Sequence, residues 1–324
     1  MQLGLFLNTQ WRDTERVSVP DLLAQVRAAR DGGFTSLWLP HHYLVAPMQM
    51  LQPMPLLGRL VPEAGGMTLG MDILLLPLLN PVHVAEEWAT LDVLSEGRAV
   101  LGVGLGYRPE EFGAFGVPIA ERAARTAESI RLIRQLWTEE RVSFRGRFYT
   151  IDNAGLSIRP VQPHGPPIWL AAQVDAALRR AARLADRWLI VPSSDIGTVA
   201  AQMRVYREAL QAAGKTGDAP AALTRECYIG SSHQAAFEEC REALEWKYGA
   251  YASWGLEKAE PAKQDFAAFA RDKFLIGDAV SVKEEIARYR ETLGIDSLIV
   301  RPHWPGLANE AAVRTIKTLG KIIS

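Results

Sequence analysis

Eight short apolar runs, each followed by a longer stretch with helical spacing, limit what this chain can become more than any other feature of its sequence. They are Leu3 to Asn8, Ser36 to Pro40, Thr68 to Leu76, Ala99 to Val103, Ile168 to Ala172, Trp188 to Val191, Leu223 to Ile229 and Ser297 to Arg301. Most are hydrophobic without interruption, as in Ile73-Leu74-Leu75-Leu76, whereas a strand with one wet face alternates polar and apolar residues. Such runs read as parallel strands buried on both faces, and parallel strands need long crossovers, which helices supply. Thr126, Ile130, Ile133 and Trp137 keep the spacing of one helical face, and a helix over Pro20 to Ala29 opens with a cap region at Ser18 and Val19.

Eight strand–helix units predict a single-domain α/β fold, a (β/α)8 TIM barrel over residues 1–324, since eight parallel strands close around an interior that side chains can fill. A doubly wound open sheet is the rival. The 324 residues exceed a common domain but suit one barrel with insertions. Two stretches are surplus to the barrel. Residues 142–167, with Arg145-Gly146-Arg147-Phe148-Tyr149 and then Pro160, Pro163, Pro166 and Pro167, predict a hairpin and an extended crossing segment. Residues 251–275 follow the seventh strand on the side where barrels carry chemistry, and predict a lid.

Charge excludes several classes of partner. With 36 basic and 37 acidic side chains the net charge is -1, so no global field draws the chain to nucleic acid or an anionic membrane. Two cysteines, Cys227 and Cys240, exclude a disulfide scaffold and a multi-cysteine metal site, and fit a reducing cytoplasm. The amino terminus lacks the basic start and apolar run of a signal peptide, which again points to the cytoplasm.

Few motifs carry chemistry by themselves. Gly102, Gly104 and Gly106 follow a strand, but Tyr107 breaks the dinucleotide fingerprint, leaving a glycine-lined strand end where a flat ligand or a neighbouring backbone could approach. His41 and His42 end the second strand, and adjacent positions face opposite ways, so at most one addresses a given site. No histidine spacing matches a metal site, and neither a nucleophile elbow nor a phosphate-binding P-loop occurs. Asp72 is an acid inside an apolar run, either facing the barrel mouth or satisfied structurally. Arg301, His303 and Trp304 close the last strand with groups that bind anions and stack on rings, although Trp304 also suits packing.

Several stretches, in this order and spacing, resemble the bacterial luciferase-like flavin-dependent monooxygenases. They are Trp38-Leu39-Pro40-His41-His42-Tyr43, Leu76-Pro77-Leu78-Leu79-Asn80-Pro81-Val82, Thr90 to Arg98, Leu101 to Tyr107 with Glu111-Phe112, Arg159 to Pro163, Pro167 to Ala172 and Ala177 to Asp186. The resemblance runs from Leu3 to about Lys321 and implies a (β/α)8 barrel using reduced flavin mononucleotide (FMN) or, in a sister branch, the deazaflavin coenzyme F420. It implies His41 as the histidine beside the flavin, with His42 as its neighbour, and a non-prolyl cis peptide between Asp72 and Ile73 behind the ring. It places Ala172, Gln173 and Val174 at the cofactor phosphate, and draws the crevice past Asn8, Gly104, Gly106 and Tyr107. Tyr43, Arg301, His303 and Trp304 are then the expected substrate pocket.

Two positions depart from the luciferase pattern. Pro40 stands where many members carry an acid, and Leu105 where luciferases hold phosphate with an arginine, leaving Arg108 as a loosely placed substitute. The leading expectation is a two-component monooxygenase that takes reduced FMN from a separate NAD(P)H-dependent reductase and oxygenates a small organic substrate with O2. The alternatives are F420-dependent hydride transfer and flavin binding without turnover. A homodimer is what the resemblance implies.

Overall fold

The computed structural model describes residues 1–215, 217–263 and 265–323, and in it the eight apolar runs are the staves of a closed barrel. The strands are β1 (Gln2–Phe6), β2 (Ser36–Leu39), β3 (Thr68–Met71), β4 (Ala99–Gly104), β5 (Ile168–Ala171), β6 (Arg187–Ile190), β7 (Ala221–Ile229) and β8 (Ser297–Arg301). Each pairs in parallel with the next. β8 returns to β1, with Leu3 opposite Leu298 and Leu5 opposite Val300. That pairing leaves no edge between β8 and β1 and excludes the open sheet.

Eleven helices wrap the staves: α1 (Val19–Asp31), α2 (Pro53–Ala64), α3 (Pro81–Leu94), α4 (Pro109–Ala114), α5 (Arg122–Thr138), α6 (Asp175–Leu184), α7 (Ile196–Ala212), α8 (His233–Ser253), α9 (Phe266–Ala270), α10 (Ala279–Leu293) and α11 (Asn309–Ile323), counted among the described residues. Their starts follow capping chemistry. Ser18, Asn80, Asp195, Ser232 and Asp278 each accept a first-turn N–H, and Pro20 and Pro81 sit where no donor is needed.

Inside the barrel, Phe6, Trp38, Val100, Leu189, Ala222 and Ile299 fill the middle layer. Side chains alternate along a strand, so residues two further on face the same interior one layer higher, at the carboxyl end. Those residues are Thr224 above Ala222 and Arg301 above Ile299. Gly70 faces the Trp38 ring, which puts Asp72 in the same upper layer. The floor of the mouth is therefore polar where the layer beneath it is apolar.

β3 does not run straight into that layer. Its ladder with β4 pairs Leu69 with Ala99 and Gly70 with Val100, then resumes only at Leu74 opposite Val103. Between them lies a bulge holding the Asp72–Ile73 peptide, which is cis as the resemblance implies. The glycines of β4 accommodate this bulge. A side chain at Gly102 would collide with the Met71 carbonyl oxygen, and one at Gly104 would meet Ile73. Gly106 adopts φ +72, where an L side chain is strained. Of the two readings of this glycine-lined strand end, approach by the chain's own backbone accounts for Gly102.

The first surplus stretch is a hairpin, Val142–Arg145 against Thr150–Ala154. Its turn is held by buried Glu128, which accepts the N–H groups of Arg147, Phe148 and Tyr149. The crossing segment is tied to α3 through Asp92, which accepts from both the backbone and the side chain of Gln162. The second surplus stretch leaves α8 at Trp254, forms a 3-10 turn over Glu257–Lys263 and then α9; Gln264 lies outside the described residues. A short strand, Leu275–Gly277, then pairs with the outer half of β7.

Candidate active site

The carboxyl end of β2 brings two histidines into different surroundings. The His41 ring is buried, packs edge-on against Tyr43 at 4.4 Å, and accepts the Leu75 N–H at Nδ1 over 3.3 Å. Burial first, and the neighbouring His42 second, lower its pKa to about 4. The ring is therefore neutral at physiological pH. Because Nδ1 accepts, the neutral ring carries its proton on Nε2, a donor independent of bulk pH. His42 turns away, as the alternation predicts, and its Nδ1 lies 3.0 Å from Glu111 Oε1. Its ring meets Tyr107 edge-on at 5.9 Å and lies tilted against Trp254 at 5.7 Å.

Glu111, on α4, is fully buried and gathers this corner. It accepts the Tyr43 N–H at 2.8 Å and lies 3.5 Å from Arg108. Burial pushes its carboxyl up, but His42, the Tyr43 N–H and Arg108 together hold it below its ordinary value. Oε2 has no partner among the described residues. Arg108 donates to the Tyr43 and Leu44 carbonyls and stacks on Trp254 at 4.5 Å. Its terminal nitrogens thus hold the wall, while its Nε has no partner among the described residues.

The floor was only half visible in the sequence. Asp72 accepts the Thr224 hydroxyl at 2.6 Å, and burial raises its carboxyl pKa. Beside it, Glu226 is fully buried and accepts from Lys247, Trp304 and, at 2.9 Å, Tyr248. Burial pushes Glu226 up, but Lys247 and Arg301 outweigh it and keep the carboxylate charged. Lys247 is brought down to about 7, by burial and then by Arg301, with Glu226 opposing. Arg301 lies over the Phe6 ring, 3.5 Å from its centroid and 3.6 Å from Glu226. Glu226 carried the same signal as Asp72, a charge within an apolar strand run. Lys247, on a long helix rich in charges, carried none.

Two expected pocket residues belong elsewhere. Trp304 is wholly buried, with its indole N–H on Glu226 and its ring in a cluster with Tyr228 and Phe274, so it packs rather than stacking on a substrate. His303 is buried with both ring nitrogens used, Nε2 toward the Leu307 carbonyl at 2.9 Å and Nδ1 toward the Asn8 amide at 3.4 Å. Asn8, expected at the cofactor, spends that amide on His303 and on the Gln10 carbonyl at 2.7 Å. The Asn8–His303 pair joins the loops after β1 and β8.

The sequence profile of the luciferase-like monooxygenases matches residues 1–297. The chain belongs to that family. Among its relatives, the F420-dependent glucose-6-phosphate dehydrogenase of Kineococcus radiotolerans is 34% identical over 200 residues, 58% of this chain and 57% of that protein. The chain thus matches just over half the length of that relative. The enzyme of the same description from Amycolatopsis mediterranei is 31% identical over 240 residues, 70% of each chain. Of solved structures, the monooxygenase RslO1 from Streptomyces bottropensis is 25% identical with a TM-score of 0.85, covering 100% of this chain and 98% of that one. This luciferase-like chain is accordingly an oxidoreductase-family enzyme.

Its own residues fit a flavin-type cofactor at two places. α6 starts at Asp175 with Val174 before it, a residue whose side chain makes no cap; the Ala177 N–H turns back to the Val174 carbonyl, and the N–H groups of Asp175 and Ala176 are the ones left to meet an anion. The Ala172 carbonyl accepts from Trp188 and the Gln173 carbonyl from Gln202, which fixes this loop from beneath. The bulge at Asp72 and Ile73 offers a flat backbone face one layer above the packed interior. Among the described residues no cluster could hold a metal, and no helix is long and apolar enough to cross a membrane.

The neutral state of His41 has a measurable consequence. Its folded pKa lies below its unfolded value, so the unfolded chain takes up the proton first as pH falls, and stability drops between about pH 6.5 and 4. The loss expected from this group is roughly 3 kcal/mol. Urea melts at pH 7 and 4.5 should show a smaller pH loss in His41→Gln than in wild type, and equal losses would contradict the burial of a neutral ring.

Proposed function

We propose that the protein is an F420-dependent oxidoreductase that transfers hydride between the deazaflavin and an alcohol or carbonyl carbon of a small organic substrate. The observation that carries this reading is His41, a buried neutral imidazole that meets the Gln52 side chain and whose Nε2–H is a hydrogen-bond donor for a substrate oxygen. A carbonyl gaining hydride develops negative charge on oxygen, and a fixed neutral donor stabilises it without a competing titration. The F420-dependent dehydrogenases similar to this chain support the choice of coenzyme. When bound, the deazaflavin supplies a two-electron carrier. The α6 amino terminus with Ala172, Gln173 and Val174 would hold its phosphate, and Asp72 and Ile73 would back its ring. Tyr43, Tyr107, Tyr251 and Trp254 wall the mouth and exclude water.

A second reading keeps the site and changes the chemistry, an FMN monooxygenase fed by a separate NAD(P)H-dependent reductase. Its support is the likeness to monooxygenase RslO1 over the whole chain. In either case we place the protein in the cytoplasm as a homodimer, with the segment after Trp254 as a lid over the mouth.

Titrating the purified protein with F420 and with FMN, each oxidised and reduced, separates the readings. The expected result is tighter binding of F420. Preference for reduced FMN, followed by oxygen uptake with substrate, would replace the first reading with the second. Binding of neither would remove the α6 phosphate site.

A further inference from the structure

The floor leaves a buried cationic donor unused among the described residues. Glu226 receives Lys247, Tyr248 and Trp304, which satisfies both carboxylate oxygens with three direct donors. Arg301 is left at 3.6 Å from that carboxylate, beyond hydrogen-bond distance, although it is only 7% exposed. Its Nε has no partner among the described residues. Burial lowers its pKa, but Glu226 first, then Tyr251, Tyr248 and Asp72 outweigh that; the Tyr251 hydroxyl also hydrogen-bonds to it, and its guanidinium lies over Phe6. The cation is therefore held in spite of its burial, while its Nε–H stays unused. Its position on β8, directly above the filled middle layer, turns that unused donor toward the mouth.

We infer that Arg301 is the receptor for an anionic oxygen group of the substrate, and that the substrate class is a carboxylate on an aromatic or otherwise apolar body. The guanidinium fork suits a carboxylate in two-point contact. Phe6 below and the rings of Tyr107, Tyr251 and Trp254 around the mouth suit the apolar body. Lys247 is not a second receptor, because its ammonium is engaged by Glu226. Asp72, on the same floor, holds its carboxyl toward Thr224. This inference rests on the mouth being the substrate site of the proposed oxidoreductase.

The test uses benzoate, its neutral counterpart benzyl alcohol, and inorganic phosphate, titrated calorimetrically into the protein loaded with whichever cofactor it binds. Benzoate is expected to bind about tenfold or more tightly than benzyl alcohol. Arg301→Lys, which keeps the charge and loses the fork, should weaken benzoate by about tenfold and leave benzyl alcohol unchanged. Equal binding of the two aromatic probes, or benzoate binding insensitive to Arg301→Lys, overturns the inference. Phosphate binding in place of benzoate overturns the carboxylate assignment. The wild-type comparison decides the matter even if the variant does not fold. Failure to bind any cofactor would count instead against the proposed function, which keeps the two failures distinct.

Discussion

Glu226→Gln is expected to lose 3 to 5 kcal/mol of stability, an effect of the size seen when one partner of a buried ion pair is removed. The substitution preserves shape and takes away the carboxylate that faces Lys247 and, more distantly, Arg301. Arg301 then keeps Asp72 as an acidic neighbour, while Lys247, already at about 7 with Glu226 holding it up, is left as a buried amine without its carboxylate. A domain with a total stability of 5 to 15 kcal/mol tolerates this poorly, so the variant should melt early or accumulate unfolded. Adding Lys247→Met should recover much of the loss, because it removes the stranded amine and fills similar volume. Chemical denaturation of the two single variants and the double variant measures the coupling. A loss below about 1 kcal/mol in Glu226→Gln would mean that the floor is not an ionic cluster.

His41→Ala is expected to lower kcat by about 10² to 10⁴, the range for removing a positioned proton-handling or hydrogen-bonding group. Cofactor affinity should change little, since His41 is fixed by Leu75 and Tyr43 rather than by the α6 terminus. Steady-state rates on a turned-over substrate, with cofactor titrations in parallel, separate the two effects. Unchanged kcat would remove His41 from the chemistry. A parallel loss of cofactor binding would make it a structural support of the crevice.

The barrel was legible because its signal is local. A strand buried on both faces is an unbroken apolar run, and each of the eight runs, including Ile168 to Ala172 and Ser297 to Arg301, became a stave. Parts of the site were legible for a similar reason, since His41 and Asp72 stand out against apolar neighbours. What could not be read is pairing across the chain. His42 meets Glu111 from 69 residues away, Thr224 reaches Asp72 from 152, and Lys247 finds Glu226 only because a helix folds back over its own strand. Trp304 was misplaced for the same reason. Its position at a strand end is local, while the Glu226 carboxylate and α8 that enclose it come from elsewhere in the chain.

The doubled duty of α8 bears on how this enzyme can diversify. Lys247 and Tyr248 anchor the floor's acid, and Tyr251 and Trp254, within two turns on the same segment, face the mouth. Changes that reshape the cavity from the inner part of this helix therefore also disturb the ion cluster. Trp254, Tyr107 and Tyr43 take no hydrogen-bonding part at Glu226, so an altered diet of substrates is reached at lower cost through them. A lineage drifting under selection for new substrates should vary first at that rim and last at the anchored turn, and directed evolution of this scaffold would do well to randomise in the same order.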